Sequence, residues 1–165
     1  MQIKKTERGE VRSTITKYYY DPRLFKRLVD FFKKVDGTEL IPRIINIDEE
    51  AQAITFDLCI PLKDELPKLN KRTRLGIARK IFNKARKIND MHYQHGDIHL
   101  YNIVLTEDYE PLLIDWEHLT QTDHPFEKSV DYKVFNQWSH PSLLVALDLT
   151  IEELQEHIQK NRLEK

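Results

Sequence analysis

A long amphipathic run, from about Lys71 to Tyr93, leads straight into His95-Gly96-Asp97-Ile98-His99-Leu100-Tyr101-Asn102, and this junction constrains the fold more than any other feature. Leu75, Ala78, Ile81, Phe82, Ala85, Ile88 and Met91 fall on one stripe, so the run must bury one face as a helix. After Asn102 the period changes. Ile103-Val104-Leu105, a polar turn from Thr106 to Glu110, and Leu112-Leu113-Ile114 read as a hairpin that returns Asp115 beside Asn102. Helix, Asp-x₄-Asn loop and hairpin are thereby fixed in order.

Three polar groups brought together in this way suit one chemistry. Phosphoryl transfer from a nucleotide needs a carboxylate that orients and deprotonates the acceptor hydroxyl. It also needs an amide oxygen and a second carboxylate to hold the metal ions that neutralise the phosphates. Asp97 supplies the first, Asn102 and Asp115 the others. His95 and His99 around Asp97 also admit a metal-ligand reading of the hydrolytic, dinuclear kind. That class needs further His and Asp clusters, which this sequence lacks. His95 is expected to pack and fix the loop, and His99 to lie near the transferred phosphate.

Upstream, residues 1–20 read as a hairpin turning near Glu7-Arg8-Gly9-Glu10. Asp21-Pro22 opens a helix, with Asp as N-cap and Pro at the first helical position. Leu24, Phe25, Leu28, Phe31, Phe32 and Val35 give that helix its apolar stripe, ending near Asp36-Gly37. On this helical spacing Asp30 projects away from the stripe, toward solvent. Strands are expected at Arg43 to Ile47 and Ala53 to Cys59, with Pro61 to Pro67 as a connector. Downstream come a helix near Ser129 to Trp138, an apolar segment from Leu143 to Leu149, and a last helix opened by the capping box Thr150-Ile-Glu-Glu153. Strands and one helix first, then mostly helices around one small hairpin, make an α+β fold with a small sheet lobe and a helical lobe.

The wording His95-Gly96-Asp97-Ile98-His99 with Asp115-Trp116-Glu117 resembles the protein-kinase-like superfamily, and within it most looks like the aminoglycoside/choline phosphotransferase branch and related small atypical kinases. The resemblance is strong over residues 92–117, fair over 11–60 and faint after 120. It implies one truncated, two-lobed kinase-like domain over residues 1–165: a small β-rich N-lobe at 1–60 and a reduced helical C-lobe at 61–165, carrying the catalytic hairpin 95–117. It further implies that Asp97 is the catalytic base and that Asn102 and Asp115 ligate Mg²⁺. Lys17 would contact the α/β-phosphates of ATP, and the backbone of Asp57, Leu58 and Cys59 would be the hinge that binds adenine. Asp131 would buttress the catalytic loop from behind. Gly9, Gly37, Gly76 and Gly96 are the only glycines, so no glycine-rich phosphate loop is expected.

Composition narrows what remains. At 165 residues, 40% apolar and 32% charged, the chain suits one soluble globular domain. A formal net charge of −1 creates no global attraction to nucleic acid or membrane. The single cysteine, Cys59, excludes an internal disulfide, and no apolar run approaches the roughly 20 residues of a membrane span. A cytoplasmic location is the default expectation. The segment 68–87 is a local exception to charge balance: Lys68, Lys71, Arg72, Arg74, Arg79, Lys80, Lys84, Arg86 and Lys87 occur with no acid among them. Such a face suits an acidic protein or RNA partner, or simply water. The expected activity is ATP- and Mg²⁺-dependent transfer of the γ-phosphoryl group to a hydroxyl, most simply that of a protein or other macromolecule. The alternatives are a pseudokinase that binds nucleotide or scaffolds, and a small-molecule or sugar kinase.

Overall fold

The computed structural model describes residues 2–5, 11–136 and 142–163. The turn expected at Glu7 to Glu10 and the helix end expected at Trp138 lie outside them. The chain divides into two compact units, Met1–Cys59 and Ile60–Lys165.

The first unit is a four-stranded antiparallel sheet and one helix. Strands β1 (Gln2–Lys5), β2 (Val11–Tyr18), β3 (Ile44–Asp48) and β4 (Ala53–Asp57) lie in the order β1-β2-β4-β3. Helix α1 (Pro22–Val35) starts where the sequence places it: Asp21 Oδ1 accepts from the Arg23 amide at 2.9 Å, and Pro22 needs no donor there. Leu28, Phe31, Phe32 and Val35 are buried, and Phe32 meets Phe56 of β4 edge-on at 5.7 Å. Asp30 is exposed, as its helical phase requires.

The second unit is helical around small strand pairs. The expected connector is instead β5 (Ile60–Pro61), helix α2 (Leu62–Glu65) and a 3₁₀ turn at Leu66–Lys68. Helix α3 (Lys71–Asp90) begins at Asn70, whose side chain caps the Thr73 amide, and buries Ile77, Ala78, Ile81, Phe82, Ala85 and Ile88. Phe82 meets Phe126 and Phe135 edge-on at 5.2 and 5.1 Å. Strand β6 (Tyr93–Gln94) pairs with β9 (Thr120–Gln121), and β7 (Ile103–Leu105) lies between β5 and β8 (Pro111–Leu113).

Helix α4 (Val130–Lys133) is a single turn and not the longer helix expected. The Phe135 and Asn136 amides bond three residues back, and the Val134 carbonyl accepts from the Leu143 amide at 2.9 Å. That carbonyl is thus withdrawn from the helical ladder, and the chain turns toward α5 (Leu143–Ala146). Helix α6 (Ile151–Leu163) packs on α3 and opens with the expected reciprocal cap. Thr150 Oγ1 accepts from the Glu153 amide at 3.2 Å, and Glu153 Oε2 from the Thr150 amide at 3.0 Å. Among the described residues no helix is long and apolar enough to cross a membrane.

Candidate active site

The loop from His95 to Asn102 is held from three sides. The Asp131 carboxylate, 1% exposed at the start of α4, accepts from the His95 amide at 2.7 Å and the Gly96 amide at 2.9 Å. Burial pushes its pKa up, and those two donors pull it back. Gly96 sits at φ +86°, and a Cβ there would fall 2.7 Å from the His118 carbonyl oxygen. Only glycine fits both the backbone angle and the approach.

His95 is fully buried and links the loop to the hairpin. Its Nδ1 accepts from the Asp97 amide at 3.2 Å, so its Nε2 carries the proton and donates to the Ile114 carbonyl at 2.8 Å. The ring lies 4.5 Å from that of Trp116, whose own N–H donates to Leu113. Burial lowers the His95 pKa to about 4, against smaller opposing effects of the Ile114 carbonyl and nearby carboxylates. His95 is therefore a neutral strut between Asp97 and the residue before Asp115. The packing role expected of it is the one it has.

Asp97, His99 and Asn102 converge. Asn102, 4% exposed, donates through Nδ2 to the Asp97 carbonyl at 2.9 Å and to Asp97 Oδ2 at 3.0 Å. His99 Nε2 lies 3.5 Å from Asp97 Oδ2 and 3.0 Å from Asn102 Nδ2, while His99 Nδ1 accepts from the Tyr101 amide. The Asn102 carbonyl accepts from the Ile114 amide at 3.0 Å, extending the β7–β8 contact by one rung, to the residue before Asp115. Asp115 itself has φ +62°, a strained angle of the sort that gathers at functional sites. The Asp97 side chain keeps 38% of its surface open, enough for an acceptor to reach.

The donor set suits Mg²⁺. With Nδ2 committed to Asp97, the remaining polar atom of the Asn102 side chain is Oδ1, and Asp115 adds a carboxylate. Two hard oxygen ligands, with phosphates and water completing the shell, are how nucleotide-bound Mg²⁺ is usually held. A dinuclear hydrolytic site would need more: among the described residues no three His, Cys, Asp or Glu side chains form a metal-holding group.

The other expected site residues lie in the first unit. Lys17, on β2 opposite Ile54, places its Nζ 5.7 Å from the Tyr19 ring. At the end of β4, the Asp57 amide donates to the Arg43 carbonyl and the Leu58 amide to Ser13, both at 2.9 Å. Cys59 Sγ sits 3.9 Å from the Asp57 carbonyl, and burial, with Asp57 nearby, raises its thiol pKa to about 11.

The basic run needs correction. Lys68 lies in the separate 3₁₀ turn and pairs with Glu65, and Lys71 pairs with Glu153. Lys80 and Lys84 converge on Glu110 at 2.5 and 2.7 Å, and Lys84 is only 9% exposed. Lys84, read as a surface charge, is thus a buried clamp that fastens α3 to the β7–β8 hairpin. Its spacing with Lys80, four residues apart, and an acid at the hairpin turn were the available signal. Arg72 and Lys87 remain exposed.

Comparison with known proteins agrees with this geometry. No curated protein matches the chain. The family model of the RIO domain matches residues 25–130, which include the loop, the hairpin, Asp115 and residues 57–59, while Lys17 precedes them. The RIO domain is an atypical protein-kinase-like family, so the match supports the kinase-like superfamily but not the aminoglycoside/choline branch that the motif wording resembles. With well over half its length matched, the chain belongs to the RIO domain family.

Proposed function

We propose that this protein transfers the γ-phosphoryl group of Mg²⁺-bound ATP to a hydroxyl of a protein or other macromolecule. The observation that carries this reading is the Asp97–Asn102 pair, tied through the Asn102 carbonyl to the amide of Ile114, the residue before Asp115. In this mechanism Asp97 orients the acceptor hydroxyl and takes its proton. Asn102 Oδ1 and the Asp115 carboxylate would hold Mg²⁺, whose chemistry when bound is to neutralise charge on the phosphates. His99, beside Asp97, would lie near the transferred group, and the neutral His95 keeps the loop in place without adding charge. Lys17 would take the α/β-phosphates. The Asp57 and Leu58 amides are already donated, so adenine would be read by the carbonyls of this segment and the Cys59 amide.

Asp97→Asn preserves shape but removes the base. Turnover of γ-labelled ATP should fall roughly 10²-fold or more with nucleotide binding kept. Asp115→Ala should lose the metal-dependent part of ATP affinity. Wild-type turnover in Asp97→Asn, or ATP affinity indifferent to both Asp115→Ala and EDTA, refutes the assignment. Labelling of a polypeptide in a lysate identifies a protein kinase, and labelling confined to small molecules a metabolite or sugar kinase. A second reading, a pseudokinase that binds nucleotide or scaffolds, is favoured by the glycine count: Gly9, Gly37, Gly76 and Gly96 form no glycine-rich phosphate loop. It predicts nucleotide binding without labelling. The exposed part of α3, around Arg72 and Lys87, is the surface offered to an acidic protein or RNA.

A further inference from the structure

Within the second unit, the loop between Asp97 and Asn102 carries one large aromatic side chain that stays outside. Tyr101 is 66% exposed, although Ile98 and Asn102 in the same loop are buried. Its amide donates to His99 Nδ1 at 3.1 Å, and its ring meets the His99 ring edge-on at 6.0 Å. His99 in turn lies 3.5 Å from the half-open Asp97 carboxylate, so Asp97, His99 and Tyr101 follow one another along the loop. Lys63, exposed on α2, stands at the far end with its Nζ 5.1 Å from the Tyr101 ring, within reach of a cation–π contact. Among the described residues no carboxylate pairs with Lys63. Glu65 on the same helix is taken by Lys68 at 3.3 Å and by the Tyr109 hydroxyl at 3.2 Å. Asp64, the next residue in the helix, projects from a different side.

An ammonium without a carboxylate partner, held over an open ring beside Asp97, suits an anion that carries an apolar stem. One anionic group is all that fits. Asp64 and Asp97 keep the surroundings of that single cation acidic, and a chain of phosphates such as RNA would be repelled there. A glutamate or aspartate of a polypeptide meets both demands, with one charge for Lys63 and a short methylene stem for the Tyr101 ring. The line from Asp97 through His99 and Tyr101 to Lys63 is within reach of about four residues of extended chain. We infer that Tyr101 and Lys63 select the acceptor: a hydroxyl-bearing polypeptide with an acidic residue within about four positions of the hydroxyl. The hydroxyl lies at Asp97, the acidic side chain crosses Tyr101, and its carboxylate pairs with Lys63. This assignment rests on the phosphoryl-transfer reading above and adds to it the class of acceptor.

The probes are nine-residue peptides with a central serine in an alanine and glycine background, each carrying one glutamate at a different position. A matched set carries lysine instead. Each peptide is titrated into the whole protein while the Tyr101 ring is followed by NMR, and its labelling by γ-labelled ATP is measured separately. At one position or more, the glutamate peptide should bind roughly fivefold tighter than its lysine counterpart, as one exposed charge pair replaces its repulsive reverse. Lys63→Glu should invert that order. Tyr101→Ala should weaken binding of the glutamate peptide, and Tyr101→Phe, which keeps the ring, should restore it. A merely structural contact between α2 and the loop predicts altered stability in these variants with the charge order unmoved. No saturable shift at Tyr101, equal binding of the two sets, or an order that Lys63→Glu leaves in place overturns the acceptor assignment. So does tighter binding of a single-stranded RNA oligonucleotide at Tyr101. Equal labelling of both sets would keep phosphoryl transfer and overturn the acceptor class. The charge order without labelling of any peptide would support the acidic-peptide surface and refute transfer alone.

Discussion

Removing Glu110 should expose how strongly the β7–β8 hairpin depends on α3. Its carboxylate receives Lys80, whose side chain is 39% exposed, and Lys84, whose side chain is 11% exposed. The Lys80 contact is close to a surface ion pair and contributes about 0.2–1 kcal/mol. Lys84 is different: without Glu110 its ammonium stays largely buried with its counter-charge gone, and breaking such a pair costs about 3–5 kcal/mol. Partial exposure of both groups favours the lower end, so Glu110→Ala should destabilise the second unit by roughly 3 kcal/mol. Lys84→Met, by contrast, removes the charge that needs compensation and keeps Lys80 on Glu110. It should change stability by less than about 1 kcal/mol. The double variant should recover most of the loss, a coupling of about 2 kcal/mol. Urea unfolding followed by Trp116 fluorescence reads this unit directly, in a Trp138→Phe background that leaves one tryptophan. The same experiment has a pH signature. The Glu110 carboxyl loses solvation, but its hydrogen bonds to Lys80 and Lys84 and their charges outweigh this and hold its pKa below the ordinary value. The stabilisation is therefore present above about pH 4.3 and is lost as pH falls through the folded-state pKa. A Glu110→Ala cost under about 0.5 kcal/mol at neutral pH, or no rescue by Lys84→Met, would refute the clamp.

Other perturbations test the loop and the basic face. His95, with its pKa lowered to about 4, contributes stability that is full above its unfolded value near 6.5 and lost as pH falls toward 4. The loss approaches about 3 kcal/mol, and an NMR titration should show its ring still neutral at pH 5. Gly96→Ala meets both a positive φ and the His118 oxygen, so thermal unfolding should report a loss of about 1–3 kcal/mol. A loss below about 0.5 kcal/mol would mean that the loop relaxes freely. Arg72→Glu/Lys87→Glu replaces two exposed basic residues of α3 and should weaken capture of an acidic partner and flatten its salt dependence, with little change in stability. Capture identical to wild type at low and high salt would leave this face to solvent.

What the sequence made legible follows from the range of the interactions. The Asp21 cap, the Thr150–Glu153 box and the β7–β8 hairpin are all decided within a few residues, and each forms as its local pattern requires. The Asp97–Asn102 contact spans five residues and was legible for the same reason. What was hidden depends on residues brought together by packing. Lys84 reads as one more surface charge until Glu110 arrives from 26 positions away. The single turn of α4 reflects the bond from the Leu143 amide to Val134, which no helical propensity records. Gly96 was visible as part of a motif, but the His118 carbonyl that excludes every other residue was not.

The left-handed backbone at Asp115 narrows the paths by which this chain can change over generations. Aspartate and asparagine are the side chains that adopt that angle with least strain, while the longer glutamate gains nothing from its polar tip there. Asparagine would keep the turn and discard the charge. Glutamate would keep a charge and strain the turn. On the metal-holding role proposed for Asp115, a lineage can thus drift into a fully folded descendant without that charge in one step at this position. Return is open only through aspartate itself, so such a loss would leave its trace in the fold's best-tolerated substitution.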